Sequence, residues 1–165
     1  MIIKKIKENK GFVLLFAVTL AAIFLSIALG VGQIALKEVN FSTSAIDTNN
    51  AFFAADTGAE CALLYDYPSV NGNTSVFIDG KNPQLYCDNN TTAITATETG
   101  TGTLIWTFIV SGLGSTGQGC SIVTVDKTVT VPHPITTVTA DGYNLGGSSC
   151  TKPANAVERE LSTTY

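Results

Sequence analysis

Residues 12–31, FVLLFAVTLAAIFLSIALGV, run for twenty positions without a charge, broken only by Thr19, Ser26 and Gly30. At 1.5 Å per residue such a run makes a helix about 30 Å long, the thickness of a bilayer's hydrocarbon core. This feature predicts a membrane-spanning start and leaves, in a chain of 165 residues, room for one modest domain beyond it. Ahead of the run stand Lys4, Lys5, Lys7 and Lys10 against Glu8 alone. Lysine in excess beside a first span holds that end in the cytoplasm, so the remainder is expected outside. A cleaved secretory signal shares the basic start, but its apolar core is about 7–15 residues long and closes on a small-x-small site. Here the run is longer and passes without a turn into more helix.

From Gln33 to Tyr65 there is no proline, and Ile34, Phe41, Ala45, Phe52, Ala55, Ala59 and Ala62 recur at steps of three, four or seven. That spacing draws one apolar stripe along a helix, with Lys37, Glu38, Asn40, Asp47, Asn50 and Glu60 on the other face. The prediction is a single helix from 12 to about 64, about 80 Å long at the helical rise. Its inner part, 12–36, is apolar all round; 37–66 is an amphipathic continuation. Gly30-Val31-Gly32 interrupts it with two glycines, each costing about 1 kcal/mol relative to alanine in a helix interior. Either the helix bends or melts most easily there, or the small residues allow close helix–helix packing.

A basic leader ending in Lys10-Gly11, an aromatic Phe12 directly after it, the apolar helix and its amphipathic continuation together resemble a type IV prepilin. The resemblance implies that a membrane-embedded prepilin peptidase cuts after Gly11 and methylates the new N-terminus at Phe12, making residues 1–11 a leader peptide. FFAADTGAECALLY (52–65) resembles a stretch of minor pilins of the PilX type and of K-type pseudopilins, and VERELSTTY (157–165) resembles the closing strand of pilin-like proteins. Most pilins carry a glutamate five residues into the mature chain, thought to pair with the neighbouring subunit's amine; Phe16 stands there in this chain. A carboxylate in lipid is costly unless paired, so it is kept only where the pairing is used. Its absence resembles the tip-located K-type pseudopilins; ordinary variation in a minor pilin is the other reading. The implied partners are other pilins, the peptidase and the cytoplasmic membrane, with no cofactor.

Beyond Tyr65 the composition turns to Thr, Ser, Gly and Asn, with turn signals at Tyr67-Pro68, Asn71-Gly72, Asp79-Gly80, Asn82-Pro83 and Asp141-Gly142. Leu104, Trp106, Phe108 and Val110 alternate with Ile105, Thr107 and Ile109 as in a strand with one buried face. After a flexible connection over 111–119, strands are expected at 120–131, at 135–140 and at the alternating Arg159, Leu161, Thr163 and Tyr165. An antiparallel sheet of about four strands in 67–165, packed against the outer half of the helix, gives a pilin-like α+β fold. Cys61, Cys87, Cys120 and Cys150 all fall on the oxidising side of the membrane. Four cysteines allow three pairings, and sequence alone does not choose. Antiparallel neighbouring strands favour Cys120 with Cys150, leaving Cys61 at the helix end for Cys87.

The formal net charge is −4; without residues 1–11, 5 basic groups face 12 acidic ones, so the side chains carry −7. The chain lacks the basic field that direct nucleic-acid binding needs. With no C-x-x-C pair and a single histidine, His133 between two prolines, a metal site is not expected. Gly112, Gly114, Gly117 and Gly119 lack the G-K-[ST] of a phosphate loop. Asp79, Asp88 and Asp141 read as turn residues, and Asn40, Asn73, Asn89 and Asn90 match the glycosylation pattern at a rate that chance supplies. No catalytic constellation emerges, so an enzyme is not expected. Glu60 is expected to pair with Arg159, tying the last strand to the helix. The positive mean hydropathy, +0.28, belongs mainly to 12–36. The expected function is a minor pilin or pseudopilin of a type IV pilus or type II secretion-like fibre, priming it or at its tip. The alternative is a membrane-anchored extracellular binding module that does not polymerise.

Overall fold

The computed structural model describes residues 10–67, 74–87, 92–100, 102–128 and 135–165. The expectations for Lys4, Lys5, Lys7, Glu8, Asn73, Asp88, Asn89, Asn90 and His133 lie outside them. A single helix, α1, spans Lys10–Asp66, 57 residues without a break. Its polar interruptions are satisfied within the helix: the hydroxyls of Thr19, Ser26, Thr43 and Thr57 donate to the carbonyls of Phe16, Ile23, Val39 and Phe53. That back-bonding lets hydroxyl residues sit in an apolar run without an unpaired donor.

The chain divides into two compact units, 1–44 and 45–165. In the first, every described side chain from Phe12 onward is exposed, and α1 there is long and apolar enough to cross a membrane. The second holds the end of α1 and all the β structure. Two short strands, β1 (Gln84–Leu85) and β2 (Ile94–Thr95), form an antiparallel ribbon. β3 (Thr97–Glu98), β4 (Ile105–Leu113), β5 (Gly119–Thr128), β6 (Ile135–Tyr143) and β7 (Glu158–Thr164) form one antiparallel sheet in chain order.

Four of these five strands coincide with the alternating segments; β3, at two residues, is too short to carry a period. β4 runs on to Leu113 through an irregularity where Gly112 takes φ 78°, a backbone region glycine enters without steric cost. The connection is thereby shortened to 114–118.

The pairing registers align the inward side chains in rows across β4 to β7: Trp106, Val125, Val138, Thr163; then Phe108, Val123, Ala140, Leu161; then Val110, Ser121, Gly142, Arg159. Size falls from β4 towards β6, so the sheet is covered differently along its width. Phe77 lies over the large side chains, its ring centroid 5.7 Å from that of Trp106 and 6.4 Å from that of Phe108. Trp106 also donates its indole N–H to Lys81 O at 2.9 Å. The small side chains face Ala51, Ala54, Ala55, Gly58, Ala59 and Ala62 of α1, all buried.

The contact is close: a Cβ built on Gly142 falls 2.2 Å from Ala51 O and Ala55 N, and one on Gly58 falls 2.3 Å from Ser121 Oγ. This corrects the expected stripe. Ala55, Ala59 and Ala62 are buried, but Phe52 is 46% exposed and Phe41 78%. A helix seated at alanine distance leaves no room for a ring, so Phe52 stays partly outside the contact, whereas Phe41 belongs to the first unit, where every described side chain is exposed.

Candidate functional site

Gly11 lies in the first turn of α1, followed by Phe12 and Phe16, which are 72% and 55% exposed. Gly30 and Gly32 sit within the unbroken helix, with nothing within 4 Å of a Cβ built on either. Among the described residues nothing packs against the two glycines, and their small size leaves a shallow notch on an otherwise bulky cylinder.

The structure joins Cys61 to Cys87 and Cys120 to Cys150, with Cα–Cα distances of 5.6 Å in both. The first bond fastens the segment after α1 back onto the helix. The second ties the start of β5 to the loop between β6 and β7. Gly146 makes room for it, since a Cβ there meets Cys120 Sγ at 2.3 Å.

The expected Glu60–Arg159 pair does not form. Register explains this: Arg159 pairs with Gly142, which packs on Ala51 and Ala55, so Arg159 reaches the helix near Thr48. Its guanidinium donates to Thr48 Oγ1 at 3.4 Å and to Glu158 O at 3.1 Å. Glu60, twelve residues further on, is about 18 Å along the helix. It is exposed and makes no hydrogen bond or ion pair among the described residues.

The polar tie between helix and sheet is instead at Asp66, the last residue of α1. Its carboxylate is ion-paired with Lys127 of β5. It also accepts the Ser75 hydroxyl at 2.5 Å and the Tyr165 hydroxyl at 2.6 Å. Lys127 in turn donates to Ser75 Oγ at 2.6 Å. Burial by itself pushes the Asp66 carboxyl up, but hydrogen bonds from Lys127, Ser75 and Tyr165, with the lysine's charge, outweigh it and hold the group below its ordinary value. The same contact, after burial, pushes the Tyr165 phenol up. Two sequence signals pointed here. A carboxylate at a helix C-terminus opposes the macrodipole and needs a partner, and Lys127 has the same inward parity as Ser121, Val123 and Val125.

Asp79 and the glycines behave as turn residues. Asp79 accepts the Gly102 N–H at 3.2 Å, and Gly112, Gly114 and Gly117 all take φ between 66° and 78°. Asp141 lies on the face of β6 away from the helix, paired in register with Glu160; burial first, then the charges of Glu160 and Glu158, push its carboxyl up. Among the described residues, no three His, Cys, Asp or Glu side chains converge as metal ligands would. Beside the first disulfide, Thr57, Glu60, Cys61, Leu64, Tyr86 and Cys87 line an open cleft of about 430 Å³.

No protein-family model, no curated protein and no solved structure matches the chain.

Proposed function

We propose that the chain is a minor pilin or pseudopilin, a non-enzymatic subunit of a type IV pilus or type II secretion-like fibre. It waits in the cytoplasmic membrane with its N-terminus inside and its disulfide-bonded domain outside. After cleavage by a prepilin peptidase it packs its apolar helix against those of other pilins and reaches the cell surface. The observation that carries this reading is the Lys10-Gly11-Phe12 junction, at the head of a helix that runs unbroken from an apolar span into a half packed on an antiparallel sheet. The exposed apolar surface from Phe12 to Leu36 supports it, since out of lipid such a surface is removed from water only by packing against other apolar helices.

Phe16 favours a second reading. Without a carboxylate to pair with a neighbour's amine, the helix suits either the tip of a fibre or a binding module anchored permanently in the membrane. The mature N-terminus separates them: mass spectrometry of the membrane form is expected to give a chain beginning at N-methylated Phe12, and an intact Met1 would support the anchored module. Gly11→Leu is expected to leave an uncleaved precursor in the membrane, and normal processing of that variant would sink the fibre-subunit reading.

A further inference from the structure

Seating the helix on the sheet through alanine and glycine has a cost on its far side, where Ile46 and Phe53 are 56% and 62% exposed. Ile46, Phe53 and Glu60 are seven residues apart, so they lie on one line along the helix at intervals of about 10.5 Å. At the Glu60 end the line meets the cleft walled by Leu64, Tyr86 and the Cys61–Cys87 disulfide. Tyr86 is held at its backbone, its N–H donating to the Tyr65 hydroxyl at 2.9 Å, and its side chain is 52% exposed. A carboxylate with an apolar wall on one side and an aromatic on the other suits a cation on an aliphatic stem.

We infer that this face binds a helix of another, non-identical chain, which lays apolar side chains over Ile46 and Phe53 and delivers a lysine or arginine side chain into the cleft at Glu60. The inference deepens the fibre-subunit reading and rests on it for the presence of that second chain. Charge decides between a foreign helix and a second copy. Between Glu38 and Asp66 this helix carries Asp47, Asp56 and Glu60 and no lysine or arginine at all. A second copy of the helix aligned on the same line brings Glu60 to Glu60 when parallel and Ile46 to Glu60 when antiparallel, so neither direction supplies a positive charge there and the parallel one sets like charges together. A partner with a basic residue at the third of three heptad-spaced positions, after two apolar ones, matches the line.

The test uses the full chain in detergent micelles and two fluorescein-labelled helical peptides, with leucine at two successive heptad positions and either arginine or glutamate at the third. Fluorescence anisotropy is expected to show the arginine peptide binding about tenfold tighter than the glutamate peptide. Glu60→Arg is expected to invert that preference, and Phe53→Ala to weaken both peptides. Glu160→Arg, which makes the same change of charge on the sheet's far face, is expected to leave the preference for the arginine peptide unchanged. The same inversion with Glu160→Arg reduces the effect to net charge and overturns the inference. So does a concentration-dependent dimer in sedimentation that Phe53→Ala abolishes, since a second copy then covers the face. Leader cleavage of the Glu60→Arg chain is scored in parallel. Normal cleavage with no preference between the peptides sinks this inference and leaves the fibre-subunit reading standing.

Discussion

Asp66 stands where a helix dipole disfavours a negative charge, and it is 5% exposed. Both penalties are met by three donors that come from three different segments: Ser75, Lys127 and Tyr165. Asp66→Asn leaves Lys127 inward-facing and unpaired, and is expected to cost about 3 kcal/mol in urea unfolding, as removal of one partner from a buried pair does. The pH dependence follows from the depressed carboxyl. Its contribution is complete above the ordinary value of 3.8 and is lost as the pH falls through the lower value held in the fold. The alkaline limb is shared by the raised Tyr165 phenol and by Tyr143, whose phenol is pushed up to about 12 by burial, by its hydrogen bond to Glu158 and by the charges of Glu158 and Asp141. A raised phenol contributes fully below its ordinary value of 10.0 and loses that contribution as the pH rises towards the folded one. Melting temperature against pH is therefore expected to be flat between these limits. Asp66→Asn should flatten the acid fall and Tyr143→Phe should reduce the alkaline one, leaving the share of Tyr165; acid and alkaline limbs unchanged by both substitutions would dissociate these groups from the transition. Ser121 is the opposite case, a fully buried hydroxyl with no hydrogen-bond partner among the described residues. Ser121→Ala removes the unsatisfied oxygen at little loss of volume and is expected to raise stability by about 1 kcal/mol.

At the scale of elements, the binding of α1 to the sheet depends on what is missing from two positions. A methyl at Gly142 meets the helix backbone itself, Ala51 O and Ala55 N at 2.2 Å, which can yield only by moving the helix. A methyl at Gly58 meets side chains, Ser121 Oγ at 2.3 Å and Val123 Cγ2 at 2.7 Å. Both alanine substitutions overpack, at roughly 1–3 kcal/mol, and Gly142→Ala is expected to be the costlier by urea midpoint. A larger loss at Gly58 would mean that the helix, and not the β5 side chains, is the part that adapts. Much of this level was legible. Helix length followed from the absence of proline, the four long strands from alternation, and strand adjacency placed the start of β5 near the end of β6, where Cys120 and Cys150 are joined. The facing of Phe52 was not legible. Periodicity marks an apolar stripe but not the separation at which it packs, and the latter is set by Gly142 on a strand about ninety residues away. The same blindness to register produced the Glu60–Arg159 pairing. Opposite charges suggested it, whereas the Gly142–Arg159 pairing brings Arg159 to Thr48. Strands of two residues, such as β3, leave no period to read.

On the scale of the whole molecule, every buried apolar residue among the described ones lies between Ala51 and Cys150, and every described side chain from Phe12 to Ile46 is exposed. The core, both disulfides and the Asp66 cluster thus belong to one unit, Ala45–Tyr165. A helix needs tertiary packing more than its own propensity to persist in water, and the last turns of α1 have that packing while the earlier ones do not. A chain beginning at Ala45 is therefore expected to fold without detergent, with Cys61–Cys87 and Cys120–Cys150 formed and with the urea midpoint of the full chain in micelles. Reducing both disulfides in that fragment should lower stability by about 3 kcal/mol for each loop of its length. The comparison is informative in both directions, because the truncation removes about a quarter of the residues but no side chain that is buried among the described ones. A lower midpoint in the fragment, with the disulfides intact by mass spectrometry, would show that the first unit stabilises the second. An unchanged midpoint means that the span is free to exchange lipid for other helices without loosening the domain it carries, as a subunit leaving a membrane for a fibre requires.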